Sequence, residues 1–208
     1  MSDLVKVMIV DDHESMRNSF EHEFREENGY EVVSSIASAD YAEEECRRKR
    51  PALVIMDVCT ENGASGLEAA EVILRKYPAI KIIVTSGFDE ITYAPRAKDM
   101  GVHAFVCKSK SLSHFREVAS HILSGGTSYP EPQTIPLPQG EAPFTAREME
   151  VLRLKCKHMR NSDVASELFI SEHTVKRHIQ NILGKTEFSS MMDLIIYVVS
   201  NGWINPNY

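Results

Sequence analysis

The 208-residue sequence predicts an α/β domain with a doubly wound, five-stranded parallel sheet, followed by an all-α helix-turn-helix domain. Three observations support this fold class. Short β-branched-rich apolar runs alternate with helix-like segments five times. Right-handed crossovers restrict such a chain to a doubly wound topology, and the last third carries helical patterns only. Hydrophobic residues make up 43% and charged residues 25%, which excludes a disordered or fibrous chain.

The predicted strands are the runs KVMIVD, EVVSSI, LVIMD, KIIVTS and AFVCK, at residues 6–11, 31–36, 53–57, 81–86 and 104–108. Their continuous apolar character is typical of strands buried on both faces. Helices are predicted between them, for example from Gly66 to Tyr77, where Pro78 is a stop signal. A last helix follows the fifth strand and ends at Gly125-Gly126. Pro95 predicts a short or bent fourth helix in the segment from Glu90 to Met100.

A charged segment at residues 43–50 is predicted to be a solvated helix face rather than a nucleic-acid patch. Glutamates precede basic residues by four positions, which is the favourable orientation for i,i+4 ion pairs. The predicted pairs are Glu43 with Arg47, Glu44 with Arg48, and Glu45 with Lys49.

The sequence carries no signal for a membrane or for secretion. Its longest apolar run, residues 194–199, is far shorter than the roughly 20 residues that cross a bilayer, and its first residues do not have the pattern of a signal peptide. The four cysteines form no Cys-x-x-Cys pair, which argues against a disulfide framework or a zinc module. We therefore expect a cytoplasmic protein that contacts no membrane.

A linker divides the chain, because five of the nine prolines fall in residues 125–143. The predicted domains are 1–124 and 144–208. The net charge of −7 would discourage DNA binding if it were spread evenly. Residues 1–124 hold 15 basic and 21 acidic side chains, whereas residues 144–208 hold 8 and 7. The acidity therefore belongs mainly to the first domain, and the second is free to bind DNA.

Polar residues follow four of the predicted strands, at the carboxyl ends where doubly wound sheets bind ligands. These residues are Asp11 and Asp12, Asp57, Ser86 and Lys108. Carboxylates this close repel one another and need a cation, and hard oxygen ligands suit Mg²⁺. An aspartate can also accept a phosphoryl group, whose charge a lysine and a hydroxyl would stabilise. Each residue alone has a structural explanation, as a cap, a turn or a surface residue, but together they favour a site.

The segments V-D-D-H (10–13), V-I-M-D (54–57), T-S-G (85–87) and F-V-C-K (105–108) resemble the receiver domain of two-component response regulators. The resemblance implies a flavodoxin-like strand order, 2-1-3-4-5, and phosphorylation of Asp57 by a sensor histidine kinase. Mg²⁺ would be held by Asp11, Asp12, Asp57 and the backbone carbonyl of Cys59. A receiver assists only its own phosphoryl transfer and dephosphorylation, so no other enzymatic activity is expected.

The same resemblance assigns a switch. Ser86 would hydrogen-bond the phosphoryl group, and Phe105 would change rotamer when Ser86 moves, while Lys108 would neutralise charge. The chain departs from the family after the acceptor, where Val58 and Cys59 replace a common Met-Pro pair. Cys59 and Phe88 occupy positions that tune phosphoryl hydrolysis in the family.

The second domain begins with a capping-box pattern, Thr145-x-x-Glu148. Further helices are predicted at 161–169 and at 172–184, the latter with Ser171 as N-cap. Two helices joined by a tight turn form a helix-turn-helix, whose second helix enters the major groove of DNA. On that helix the core stripe is predicted at Val175, Ile179, Ile182 and Leu183. The candidates for base edges are Lys176, Arg177 and Gln180, and those for phosphates are Thr174, His178 and Lys185.

Residues 144–204 resemble the LuxR-type helix-turn-helix, and a receiver followed by this module is the arrangement of the NarL/FixJ family. By that resemblance Lys176, Arg177 and Gln180 contact bases, and the last helix, residues 192–200, carries dimer contacts. His158 stands where the family usually has glycine, so a strained left-handed turn is expected there.

The leading hypothesis is a transcription factor that is controlled by phosphorylation of Asp57 and binds double-stranded promoter DNA as a homodimer. Two alternatives stay open. An atypical regulator would be controlled by a partner protein without phosphorylation. A phosphatase with an aspartyl nucleophile is less favoured, because that chemistry usually needs a second carboxylate two residues on, where this chain has Cys59.

Overall fold

The computed structural model describes residues 4–87, 93–131 and 144–206, which belong to two compact units. The strands of the first unit are β1 (Val5–Val10), β2 (Tyr30–Ile36), β3 (Leu53–Asp57), β4 (Lys81–Ser86) and β5 (Ala104–Cys107). Its helices are α1 (Glu14–Glu23), α2 (Ala42–Lys49), α3 (Gly66–Lys76), α4 (Tyr93–Asp99) and α5 (Leu112–Leu123). The second unit contains α6 (Ala146–Cys156), α7 (Asn161–Glu167), α8 (Glu172–Gly184) and α9 (Met191–Ser200).

The five strands form one parallel sheet in the order β2-β1-β3-β4-β5, which confirms the predicted fold class. Both faces of the central strands are buried, because successive side chains of a strand point to opposite faces. Ile9 and Ile55 pack against the aromatic rings of Phe20 and Phe115, which meet edge to face at 4.9 Å. The alternate strand residues, such as Met8, are also inaccessible to solvent. The sheet therefore provides a rigid support for the residues that follow its strands.

The ion pairs predicted on α2 were wrong in register. Arg47 pairs with Glu44 and Arg48 with Glu45, both three residues apart. Glu43 instead contacts α3, where Lys76 Nζ lies 3.1 Å from its carboxylate and the Tyr77 hydroxyl donates to it at 2.8 Å. A neighbouring helix offered Glu43 partners that the local sequence pattern could not reveal.

Helix α4 extends from Tyr93 to Asp99 in the described part of the chain, and Pro95 lies in its first turn. A proline is tolerated there, because the first amide groups of a helix have no intrahelical acceptor. The first part of the segment for which a short or bent helix was predicted, residues 90–92, lies outside the described residues, as do Phe88 and linker residues 132–143. Within the described ranges, no helix is long and apolar enough to cross a bilayer.

The second unit packs its four helices around one apolar cluster that includes Val151, Val175 and Leu194. Helix α7 ends two residues earlier than predicted. Phe169 then adopts a left-handed conformation with φ 53°, which a helix cannot accommodate. His158 has φ 59°, a left-handed conformation, as the resemblance to the LuxR-type pattern predicted. Lys155 supports this turn by donating to the carbonyl oxygen of Met159 at 2.6 Å.

Candidate functional site

The predicted site residues of the first unit meet at the carboxyl edge of the sheet. Asp57 is the last residue of β3 and pairs with Thr85, and Ser86 at the end of β4 pairs with Cys107 of β5. The next residue, Lys108, is held by a hydrogen bond from its backbone N–H to the carbonyl oxygen of Ser86, at 2.8 Å. Parallel strands bring their carboxyl ends to one edge, so residues distant in sequence become neighbours.

Lys108 joins two of the predicted carboxylates. Its Nζ atom lies 2.7 Å from Asp11 Oδ2 and 2.8 Å from Asp57 Oδ2. Both aspartates are almost completely buried, with side-chain exposures of 1% and 5%, whereas Asp12 is exposed to 36%. Asp11 and Asp57 are therefore bound in the interior of the edge, and Asp12 faces the solvent from which a ligand would arrive.

Two residues at this edge had no role in the sequence-based prediction. His13 Nδ1 lies 2.6 Å from Asp12 Oδ1, and the His13 backbone N–H donates to Asp11 Oδ1 at 2.9 Å. The guanidinium of Arg17, one turn into α1, donates to the backbone carbonyl of Asp11 at 2.8 Å. Position 13 directly follows the aspartate pair, which was a signal for His13. Nothing local marked Arg17.

The electrostatic environment of Asp57 keeps its carboxyl group uncharged to a higher pH than that of an exposed aspartate. Burial raises the pKa of Asp57 to about 6, although the ammonium group of Lys108 acts in the opposite direction. For Lys108 burial acts to lower the pKa, but the carboxylates of Asp57 and Asp11 outweigh it, so that its pKa is raised. Lys108 is therefore a permanent cation beside a carboxylate whose charge is only partly compensated.

The donor set fits a divalent cation. Ligand atoms of Asp11, Asp12, His13 and Asp57 all lie within 4.8 Å of one another, and carboxylate oxygens are the ligands that Mg²⁺ prefers. The cluster is thus typical of magnesium binding. Cys59 lies two residues beyond Asp57, with its Sγ atom 3.9 Å from the hydroxyl of Tyr93. Burial raises the pKa of its thiol, and the assignment of its backbone carbonyl to the metal stays a prediction.

The two predicted switch residues, Ser86 and Phe105, are buried on the neighbouring strands β4 and β5. Ser86 is 1% exposed and Phe105 is 5% exposed. Phe105 pairs with Val84, two residues before Ser86 on the adjacent strand. The structure thus brings the hydroxyl and the aromatic ring into the same two-stranded segment that leads to Lys108.

The predicted DNA-binding residues lie mainly on one helix of the second unit. Ser171 caps α8 by accepting from the backbone N–H of Thr174 at 3.1 Å. Val175 and Ile182 face the core, and Ile179 and Leu183 pack against it, as predicted. Lys176, Arg177 and Gln180 are exposed, whereas Thr174 and His178 are half-buried. The exposed polar face of α8 is therefore the surface available to a nucleic acid.

Lys185 is placed differently from the other candidates. Its ammonium group lies 2.7 Å from Glu148 Oε2, and its side chain is 19% exposed. Glu148 also completes the predicted capping box, accepting from the backbone N–H of Thr145 at 2.8 Å. Burial acts to raise the pKa of Glu148, but the hydrogen bonds from Lys185 and Thr145 outweigh it and lower the pKa. Lys185 thus ties α8 to α6, and a contact with phosphate stays a prediction.

Comparison with known families assigns both units. Residues 7–120 match the response regulator receiver domain, and residues 142–198 match the family described as bacterial regulatory proteins, luxR family. The response regulator protein VraR of Staphylococcus aureus is 31% identical over 96% of this chain and 99% of its own length. VraR of Staphylococcus epidermidis is 30% identical over the same shares. The chain therefore belongs to the two-component response regulators with a LuxR-type DNA-binding domain, a family of regulators rather than of enzymes.

Solved structures show the same fold. RcsB from Salmonella enterica serovar Typhimurium, bound to the rprA promoter with the phosphomimetic BeF3⁻, superimposes with a TM-score of 0.61 at 18% identity, covering 94% of this chain and 98% of RcsB. A LuxR-family response regulator from Aurantimonas sp. gives 0.56 at 27% identity, covering 60% of this chain and 89% of that one.

Proposed function

We propose that this chain is a phosphorylation-controlled transcription factor: a sensor histidine kinase phosphorylates Asp57, and the second unit then binds promoter DNA. The observation that carries the proposal is the position of Asp57. Its carboxylate is nearly buried, is bonded to Lys108, and shares a cation-binding cluster with Asp11 and Asp12. The proposed receiver comprises residues 1–124 and the proposed DNA-binding domain residues 144–208, joined by the linker.

The phosphoryl transfer follows from these contacts. Asp57 Oδ2 accepts a hydrogen bond from Lys108, so Oδ1 is the proposed nucleophile. It attacks the phosphorus atom of a phosphohistidine, the P–N bond breaks, and the imidazole leaves with the electron pair and takes up a proton. Lys108 neutralises the charge on the transferred group throughout, because its ammonium group is already in place.

A divalent cation held by Asp11, Asp12, Asp57 and the backbone carbonyl of Cys59 would supply further charge neutralisation at the phosphoryl oxygens. The hydroxyl of Ser86 would then hydrogen-bond one of these oxygens. Its movement would open space beside Phe105, because both side chains belong to the paired segment of β4 and β5. A buried ring at Phe105 would therefore be favoured by phosphorylation.

The output is DNA binding by α8. Lys176, Arg177 and Gln180 are the proposed contacts to base edges, with Thr174, His178 and Lys185 as phosphate contacts. Met192 and Ile196 on α9 expose 56% and 57% of their surface, which supports the proposal that α9 joins two copies on paired half-sites. Bacterial DNA lies in the cytoplasm, so this function places the protein there.

Labelling with a small phosphodonor tests the proposal directly. Wild-type protein incubated with acetyl phosphate and Mg²⁺ should gain one phosphoryl group by intact-mass measurement, and Asp57→Ala should gain none. In an electrophoretic mobility assay with DNA from the promoter region of the protein's own gene, labelled protein should shift the DNA at a lower concentration than unlabelled protein does. Omission of Mg²⁺ is the matched control.

The alternatives predict other outcomes. Equal DNA binding with and without labelling, and unchanged binding by Asp57→Ala, would favour a regulator controlled by a partner protein. Sustained turnover of a phosphate monoester such as p-nitrophenyl phosphate would favour a phosphatase. Neither outcome is expected, because the acid cluster is complete and Cys59 replaces the second carboxylate that a phosphatase of this kind needs.

A further inference from the structure

The chain returns to the sheet directly after the last helix of the first unit. Ser128 forms a parallel bridge with Ala104 of β5. The Phe105 backbone N–H donates to the carbonyl oxygen of Ser128 at 2.9 Å, and the Ser128 N–H donates to the carbonyl oxygen of His103 at 3.0 Å. β5 is an edge strand, and an edge presents unpaired backbone groups. Residues 127–129, here called the strap, therefore satisfy part of the hydrogen-bonding groups of this edge.

Two glycines let the chain reverse direction before the strap. Gly125 has φ 100°, a conformation that side chains rarely adopt. At Gly126 a Cβ atom would lie 2.2 Å from Nε2 of the exposed His121 side chain on α5, so the imidazole ring would have to move for a larger residue. The return of the chain thus depends mainly on the left-handed backbone of Gly125.

Tyr129 anchors the end of the strap. Its hydroxyl donates to the backbone carbonyl oxygen of Val102, which precedes β5. The Lys98 ammonium group lies 5.7 Å from the centroid of the ring, which places a cation over its face. Burial also raises the pKa of Tyr129. The strap therefore contacts α4, the turn that follows it, and β5.

The same short strand connects the strap to the phosphorylation site. Phe105 donates its backbone N–H to the strap, and its ring is buried in the state in which the strap is docked. Lys108, three residues further on, is bonded to Asp57. Three strand residues span about 10 Å, so the backbone contact with the strap at Phe105 and the ammonium partner of Asp57 are joined by one short stretch of chain at the end of β5.

We propose that the strap is a docking element whose attachment to β5 is coupled to the buried state of Phe105, so that phosphorylation of Asp57 tightens it. The coupling rests on the proposed function, whereas the docking does not. The docked residues 127–129 belong to the predicted linker, so the anchor joins β5 to the first part of that segment.

Amide hydrogen exchange in the full-length protein tests the docking. The amides of Phe105 and Ser128 should be protected in the wild type. Tyr129→Ala should accelerate exchange at both by about tenfold, because loss of one net hydrogen bond and its ring contact shifts the equilibrium by about that factor. Tyr129→Phe removes only the hydroxyl and should give a smaller acceleration. Thr127→Ala, at an exposed strap position, should leave both amides protected.

Beryllium trifluoride with Mg²⁺ tests the coupling, because it imitates the phosphoryl group. It should slow exchange at Phe105 and Ser128 in the wild type and have no such effect in Tyr129→Ala. Unprotected amides in the wild type would overturn the docking. Unchanged exchange in protein that acetyl phosphate does label would overturn the coupling and leave the proposed function standing. Absence of labelling would overturn the proposed function and the coupling, while the comparison with Tyr129→Ala would still decide the docking.

Discussion

Replacing the proposed phosphoacceptor, Asp57, by its uncharged analogue asparagine should stabilise the receiver in a manner that depends on pH. Asp57→Asn keeps an oxygen that can accept from Lys108, which also retains Asp11 as a counter-charge at 2.7 Å. The substitution therefore removes mainly the cost of burying the charge of Asp57. The pKa of Asp57 is raised from 3.8 to about 6 in the folded protein. Below pH 3.8 Asp57 is protonated in both states and does not reduce the free energy of unfolding. As the pH rises toward about 6, the unfolded state loses the proton first, and the free energy of unfolding falls.

The magnitude follows from these two pKa values. Each pH unit between 3.8 and about 6 costs the wild type about 1.4 kcal/mol, so the full cost above pH 6 is about 3 kcal/mol. At pH 5 roughly half of this cost is present. The stability advantage of Asp57→Asn should therefore grow by about 1.4 kcal/mol between pH 5 and pH 7.5.

Urea unfolding of both proteins at the two pH values provides the measurement. The single tryptophan, Trp203, belongs to the second unit, so intrinsic fluorescence would follow the wrong unit, and NMR amide signals of β1 and β3 should be used instead. Asp40→Asn, at an exposed position, controls for the substitution itself. An advantage that is equal at both pH values, or a less stable Asp57→Asn at pH 7.5, would refute the reasoning. Mg²⁺ should narrow the difference at pH 7.5, because a divalent cation bound at this cluster would stabilise the charged carboxylate.

Three further predictions concern packing, an ion pair and DNA contacts. Gly66→Ala would place a Cβ atom 1.8 Å from the backbone oxygen of Asp57, so urea unfolding should show a loss of about 3 kcal/mol; Gly184→Ala, with open space around it, should show none. Glu148→Gln should lower the free energy of unfolding of the second unit by about 2–3 kcal/mol, because it removes the negative charge beside the half-buried ammonium group of Lys185. Unfolding of this unit can be monitored by Trp203 fluorescence. Arg177→Ala should weaken specific DNA binding by about 1–3 kcal/mol in fluorescence anisotropy and relax the sequence preference.

Other results would contradict these predictions. A stable Gly66→Ala would mean that α3 can move away from β3. An unchanged Glu148→Gln would mean that solvent already screens the ion pair. A loss in Arg177→Ala that is equal on specific and random DNA would assign this side chain to phosphates rather than to bases.

The strands and helices were predictable because their signals are local. Strands β3 and β4 begin and end at the predicted residues. Their apolar runs are rich in β-branched residues and are shorter than a typical helix, so both features indicate a strand. The N-caps of α6 and α8 were likewise predicted from Thr145 and Ser171, which accept from backbone amides within the same turn. The end of α7 was predicted less well, because it depends on the left-handed conformation of a single residue, Phe169.

The identity of the site was also contained in the sequence, because strand ends in a parallel sheet necessarily share an edge. That rule alone predicts that Asp11, Asp57 and Lys108 lie close together. Which atoms meet was not contained in it. Local sequence patterns did not predict three of the contacts. These are the contact of His13 with Asp12, the ion pair of Lys185 with Glu148 and the bridge of Ser128 to β5.

The sequence by itself thus determined the classes of element, their order and the chemical residues at their ends, because these depend on neighbouring side chains and on backbone geometry. The tertiary structure decided how charges are paired. Glu43 pairs with Lys76 instead of Arg47, and the partly exposed Lys185 pairs with Glu148 on another helix. An ion pair forms with whichever partner packing brings within reach, and packing is a property of the whole folded unit.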